Sequence, residues 1–307
     1  MAGSQTPVGP LEIRQLFELE QFDEIFQLQR TIWSYADREL IPMRFLAVAA
    51  KVGGHVFGAY DGPRMIGFCF AIPGIKPGGR PYLHSHMLGV LPDYRNAQIG
   101  RRLKLRQRDD ALARGIPLIE WTFDPLELKN AFLNIEKLGA IVRVYKENLY
   151  GATTSPLHGD LPTDRCIAEW WLDSPRVRGI LSGGGTTRSK DQPDLATPQV
   201  GQADPEGTPP ANQRPDQELA GESACPTSLS WSFAGGTPIP TGQKACPAEC
   251  IAYPADIARL RASDPPKARE IQQTNARLFL SAFERGMAVT GFARSATEGA
   301  YLLEPWP

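Results

Sequence analysis

The chain of 307 residues carries almost no net charge, with 33 Lys plus Arg against 34 Asp plus Glu. That balance removes any global attraction to nucleic acid or to an anionic membrane, so a basic function has to be local. Long apolar runs are missing too: none is long enough to span a bilayer, and residues 1–10 have neither the charged start nor the apolar block of a secretory leader. A cytoplasmic location is therefore expected, with no membrane and no nucleic-acid partner. Cysteine is scarce and odd in number, at Cys69, Cys166, Cys225, Cys246 and Cys250. Such a set is a poor disulfide framework and points to free thiols. Cys246 and Cys250 stand too far apart for a Cys-x-x-Cys pair, and neither a second thiol pair nor a nearby histidine completes a zinc site. No metal is expected.

What is present is a regular alternation of strand-like and helix-like segments. A short strand at 12–17 precedes a helix at 19–33, where Phe22, Ile25, Phe26, Gln29, Ile32 and Trp33 recur at helical spacing. A second helix spans 41–52, with Pro42 in its first turn and Gly53-Gly54 as its stop. Strands at 55–60 and 64–73 flank Asp61-Gly62-Pro63 and predict an antiparallel hairpin, followed by a Gly/Pro-rich loop at 74–80. A strand at 82–90, a basic helix at 99–114, a strand at 118–123, a helix at 128–138 stopped by Gly139, and strands at 141–145 and 165–172 complete the first part.

Composition then changes. From Leu181 to Ala245 more than a quarter of residues are Gly or Pro without a period, which does not build a packed core. Gly183 to Lys190 invites a phosphate-loop reading but lacks the spacing to Gly-Lys-Ser/Thr and follows no strand, so a linker is the simpler reading. Order returns with a strand at 249–253, a helix at 266–285 and strands at 288–294 and 300–303. The expected organisation is a first domain at 1–175, a low-complexity insert at 176–245, and an αβ extension at 246–307 that packs on the first domain, since some sixty residues make a marginal core alone.

The densest information lies in His-Ser-His-Met-Leu-Gly-Val-Leu-Pro-Asp-Tyr-Arg-Asn-Ala-Gln-Ile-Gly-Arg-Arg at 84–102, an apolar strand running through a polar turn into a basic helix. Unpaired backbone N–H groups converge at such a helix start and bind anions. The pattern Leu88, Val90, Pro92, Tyr94, Arg95 and Gly100 resembles the acyl-CoA-binding motif of the GCN5-related N-acetyltransferase (GNAT) superfamily, which reads Gln or Arg, two residues, Gly, one residue, then Gly or Ala. Gln98 stands where that family has Gly, so either the turn avoids positive φ or Gln98 bears strain. The order of elements over about 11–173 is similar to the same superfamily.

The resemblance implies an α+β fold, a central, twisted and mostly antiparallel sheet flanked by helices, here with a C-terminal αβ extension. It also implies an acyl-CoA-dependent N-acyltransferase. The cosubstrate would be held by Met87, Leu88 and Val90 of the strand, by Arg95, Asn96, Ala97, Gln98, Ile99, Gly100 and Arg101 at the helix start, and by Asn130 and Asn134. Arg102 is a further phosphate candidate, while Lys104, Arg106 and Arg108 read as a solvated face. Most amines are protonated at pH 7, so a base must take a proton. His84 and His86, two apart on a strand and facing one side together with Leu88, are similar to the paired histidines of arylalkylamine N-acetyltransferases. Core hydrogen bonding or acceptor contact are alternative roles for them. Glu120 and Asp124 are rival bases, and Asp124 before Pro125 also reads as a helix cap. The family's usual acid, a Tyr, falls on Ile135, leaving Tyr145 or Tyr150 to reach the sulfur.

Trp121-Thr-Phe-Asp-Pro-Leu126, Asn130, Asn134 and the αβ tail are similar to a branch of the superfamily some of whose members look like N-succinyltransferases of amino acids. Acetyl-CoA or succinyl-CoA is thus the implied cosubstrate, and a small-molecule amine or amino acid the implied acceptor. An acidic acyl group would need a cation such as Arg44, Arg143 or Lys146. A catalytically silent acyl-CoA-binding or scaffold protein is the competing reading, and a homodimer stays open.

Overall fold

The computed structural model describes residues 10–34, 36–151, 161–183 and 249–306. Most of the expected insert, the Gly-rich segment after Gly183, and His158, Cys225 and Cys246 lie outside the described residues.

Ten strands form a single sheet in the order β1-β2-β3-β4-β5-β7-β6-β9-β10-β8. They are β1 (Glu12–Gln15), β2 (His55–Asp61), β3 (Arg64–Lys76), β4 (Arg80–Val90), β5 (Leu118–Phe123), β6 (Ile141–Lys146), β7 (Arg165–Trp171), β8 (Glu249–Pro254), β9 (Met287–Arg294) and β10 (Glu298–Pro305). Every pairing is antiparallel except β4 with β5. The helices are α1 (Leu19–Trp33), α2 (Met43–Lys51), α3 (Ile99–Ala113), α4 (Leu128–Phe132), α5 (Pro175–Leu181), α6 (Ile257–Ser263) and α7 (Pro265–Glu284).

Helices α1 and α2 cover one face of β2–β4. Gly89 is where α1 comes closest: a Cβ there would meet Ile32 and Trp33 at 2.9 Å each. The buried amide of Gln29 joins the two helices, donating to Ile41 O at 3.1 Å and accepting from Ile41 N at 2.8 Å. Helix α3 lies on the opposite face, and the C-terminal extension adds β8–β10 to the sheet beyond β6 while α7 packs on β6, β8 and β9. Phe279 of α7 stacks on Tyr145 with ring centroids 5.2 Å apart. Two apolar cores result, one built mainly from α1, α2 and β1–β4, the other mainly from β5–β10, α4 and α7. They meet where β4 and β5 part.

Several local expectations change. The loop expected at 74–80 is mostly hairpin, because β3 and β4 pair out to Lys76 and Arg80 around a turn with Gly78 and Gly79 at positive φ. Residues 176–181, expected inside the insert, belong to α5, which begins at a Ser174 cap whose Oγ accepts from Val177 N, with Pro175 in its first turn. The helix expected at 128–138 is α-helical only to Phe132 and then widens into a π turn at Leu133–Lys137. Helix α6, absent from the sequence reading, precedes α7.

Candidate active site

Helix α3 starts abruptly. After a 3-10 turn at Pro92–Tyr94, Asn96 and Gln98 take φ of 80° and 56°. Gln98 therefore bears the strain that glycine would avoid. Arg102 N, bonding to Gln98 O at 3.0 Å, makes the first backbone hydrogen bond of the helix. The N–H groups of Asn96, Ala97, Gln98, Ile99, Gly100 and Arg101 find no acceptor among the described residues. Six free donors at the positive end of a helix dipole make an anion cradle. Arg101 carries no other partner there, while Arg102 is tied to Leu11 O at 3.0 Å. Arg95 is partly buried beside the cradle.

Beside this cradle the sheet splits. Strands β4 and β5 pair only at Leu83 with Ile119 and at His84 with Glu120. Beyond those rungs, Ser85 to Val90 and Trp121 to Phe123 have no partner across the gap. A β-bulge on β4 re-aims the side chains at that point: Ala71 pairs with Ser85 and Phe70 with Met87, leaving His86 as the extra residue. The bulge overturns one expectation. His84, His86 and Met87 share the face of Phe70, but Leu88 pairs with Cys69 and lies on the α3 face, where Cys69 Sγ approaches Leu103 O at 3.9 Å.

The histidine face is polar at the root of the gap. The His84 and His86 rings are 5.8 Å apart, and His86 meets Phe70 edge-on at 5.7 Å, itself covered by Phe45 of α2 at 5.9 Å. Glu120 faces His84 on one side and Glu169 of β7 on the other. Each carboxylate has a cation: Lys76 Nζ lies 2.7 Å from Glu120, and Arg143 donates to Glu169 through Nε at 3.1 Å and Nη2 at 2.6 Å. Trp171 Nε1 also donates to Glu169 at 3.1 Å.

Burial sets the protonation states. It pushes His84 down to about 4, helped by the charges of Lys104 and Lys76, and His86 down to about 3, helped by His84. Both imidazoles are therefore neutral at pH 7, and burial makes them weak bases. Burial raises Glu120, and Lys76 opposes that shift. The arrangement offers proton acceptors within a shielded face, next to an unpaired strand edge and an anion cradle.

The remaining predicted residues are placed differently. Asp124 caps the turn to Leu126 N at 2.8 Å and takes Arg261 of α6 at 2.9 Å, so it is bound into a structural ion pair. Tyr145 is on the α3 face, under α7, and donates to Asp164 at 2.7 Å. It is on the opposite face from Glu120. Asn130 and Asn134 are both buried on the helix after β5, and the Oδ1 of Asn130 has no hydrogen-bond partner. An orphaned acceptor there fits an amide N–H of a pantetheine arm. Ile135 is fully buried. Tyr150, the other candidate acid, shares a hydrogen bond with Thr122 on the unpaired end of β5 at 2.7 Å.

Sequence reasoning missed Lys104. Read as part of a solvated face, it is 3 % exposed, with Nζ 2.7 Å from Ser85 Oγ and 3.7 Å from the Trp121 ring centroid. Its spacing from Ile99, Leu103, Gln107 and Ala111 on the buried side of α3 was the available signal. Glu169 and Arg143 gave none as a pair, because only the β6–β7 register brings them together.

Residues 17–138 match the model of the acetyltransferase (GNAT) family. The match covers 122 of the 307 residues, and this part of the chain is similar to a GNAT acetyltransferase domain. Among solved structures, the chain is similar to the ribosomal-protein-S18-alanine N-acetyltransferase from Escherichia coli, at 18 % identity over 53 % of this chain and 95 % of that one, with a TM-score of 0.42. It is similar also to a putative acetyltransferase, yncA, from Salmonella typhimurium with acetyl-CoA, at 15 % identity over 54 % and 96 % of the chains and a TM-score of 0.44. Arabidopsis thaliana Naa50 in complex with a bisubstrate analogue matches at 18 % identity over 52 % and 97 %, with a TM-score of 0.41. No curated protein matches the chain. Within the matched residues, the cradle at 96–101 lies beside the gap between β4 and β5, and His84, His86 and Glu120 lie on one face at the root of that gap. Among the described residues no three His, Cys, Asp or Glu side chains gather to hold a metal, and no helix is long and apolar enough to cross a membrane.

Proposed function

We propose that the protein is an acyl-CoA-dependent N-acyltransferase that moves an acetyl or succinyl group to a small-molecule amine or amino acid in the cytoplasm by direct attack. The observation that carries this reading is the parting of β4 from β5 immediately beyond the His84–Glu120 rung, beside six free N–H donors. The N–H groups of Asn96 to Arg101, with Arg95 and Arg101, hold the pyrophosphate. Met87, Leu88 and Val90 line the arm, and Asn130 Oδ1 accepts from one of its amides. Glu120, with His84 beside it, receives the proton of the incoming ammonium, and His86, held edge-on to Phe70, packs against His84. Lys76 pairs with Glu120 and Arg143 with Glu169, and both cations are sufficiently exposed to meet a carboxylate on the acceptor or on the acyl chain. Tyr150 is better placed than Tyr145 to protonate the departing thiolate, since its hydroxyl lies at the unpaired end of β5. A thiol near pKa 8.5 also leaves unaided.

The test is release of free CoA thiol from acetyl-CoA and succinyl-CoA against a panel of amines and amino acids, with a His84→Ala/His86→Ala variant alongside. Acceptor-dependent release that the variant loses is the expected result. Saturable CoA binding without turnover by any acceptor would instead favour a silent acyl-CoA-binding protein, the reading suggested by a buried Ile135 where the family has its acid.

A further inference from the structure

The π turn at Leu133–Lys137 leaves backbone groups that the helix itself does not satisfy. Its closing bond runs from Leu138 N to Leu133 O at 3.0 Å, and Ala140 N reaches back to Asn134 O at 2.9 Å. The Ile135 carbonyl then finds no backbone N–H. Arg176, in the first turn of α5, fills that gap. It donates Nη2 to Ile135 O at 3.4 Å and Nε to Gly139 O at 3.1 Å, and the same Nη2 reaches Thr290 O of β9 at 2.5 Å. Two residues further along β9, Phe292 N donates to the Glu136 carboxylate at 2.8 Å.

These two contacts replace a strand ladder. Strands β6 and β9 pair at Val142 with Val289 alone, and from there the free edge of β9 is engaged by side chains of, and around, the π turn. Arg294 adds a cation–π contact to Phe132 at 4.0 Å. The segment gripped in this way carries Asn130 and Asn134, and π turns are rare features found frequently at functional sites.

We propose that Arg176 and Glu136 are positioning residues for the acyl-CoA half of the site, through which the C-terminal extension holds the π turn and so fixes Asn130 and Asn134. Neither side chain touches the cosubstrate. The inference rests on the acyltransferase reading above, and its test separates the two. CoA binding to the full chain is measured by calorimetry, and KM for acetyl-CoA is measured separately from KM for the acceptor. Arg176→Met weakens CoA about tenfold and raises the acetyl-CoA KM in parallel, while kcat and the acceptor KM stay within about twofold. Arg176→Lys recovers part of the loss, because an ammonium still reaches one of the three carbonyls. Amide exchange at 133–140 speeds up in Arg176→Met and is unchanged in β2 and β3. Glu136→Ala reads the same coupling from the other contact, should Arg176→Met not fold. Wild-type binding of CoA with unchanged affinity in the variants overturns this inference alone. Failure of the wild type to bind CoA overturns the acyltransferase reading and this inference with it.

Discussion

Lys104→Met should make the protein more stable at pH 7. Lys104 is buried between α3 and the sheet, and among the described residues no carboxylate lies within ion-pair distance of it; its contacts are Ser85 Oγ and the face of Trp121. Burial pushes its amine down from 10.5 to about 7. The folded chain thus releases this proton near pH 7, the unfolded chain near 10.5. Between those values the unfolded state holds more protons, so stability rises with pH, and the full penalty applies below pH 7. At pH 7 the penalty is about 4 kcal/mol. Methionine keeps the apolar stem and removes the charge, at a loss of about 2 kcal/mol for the Ser85 hydrogen bond and the ring contact. The net gain is about 2 kcal/mol at pH 7. By pH 9 the wild type has recovered about 2 kcal/mol, so the two proteins converge. Urea unfolding of both proteins at the two pH values measures the difference directly, and the comparison cancels every other titrating group. A variant less stable than wild type at pH 7, or a gap of the same size at both pH values, would refute the reasoning.

Three further outcomes are expected. The acid limb of kcat/KM should fall near pH 4 rather than 6.5, because His84 and His86 stay neutral above that value; a limb at 6.5 would show that they do not take part as buried bases. Arg261→Met leaves the Asp124 and Glu127 carboxylates without their buried cation and should cost about 3 kcal/mol at pH 7, read as a fall in Tm; an unchanged Tm would remove the strut assigned to the C-terminal extension. Gln98→Gly should raise stability by about 1 kcal/mol by relieving a positive φ in the cradle without weakening CoA, since the cradle works through backbone N–H groups; weaker CoA binding would mean that the Gln98 side chain takes part.

Much of the scaffold was legible because local rules and tertiary packing agree there. Helix α1 spans the residues that its apolar spacing marked, and β5 does the same. The anion cradle was legible because a polar turn opening a basic helix after an apolar strand leaves donors unpaired whatever lies around it. Tyr145 and Asp124 show where reading from residue type ends: both are strand-end polar groups near the expected chemistry, yet one is covered by α7 and the other held by Arg261. Their partners are 19 and 137 residues away in sequence, and nothing local records such a contact. Lys104 failed for a different reason. A charged side chain was assigned to solvent although its helical position lay on the buried face.

By itself the sequence determined the order of the strands and of the helices other than α5 and α6, the polar turn that opens α3 at 96–101 and the candidacy of His84, His86 and Glu120, because periodicity, turn residues and backbone donors act over a few neighbours. Only the tertiary structure decided which of these groups share a face. A single extra residue at His86 turned Leu88 away from the histidines, the β5–β7 register set Glu169 opposite Glu120, the β6–β7 register brought Arg143 to Glu169, and strands from the far end of the chain closed around the π turn that carries Asn134. Those are pairings across long separations, fixed by the packing of the whole sheet rather than by any segment of it.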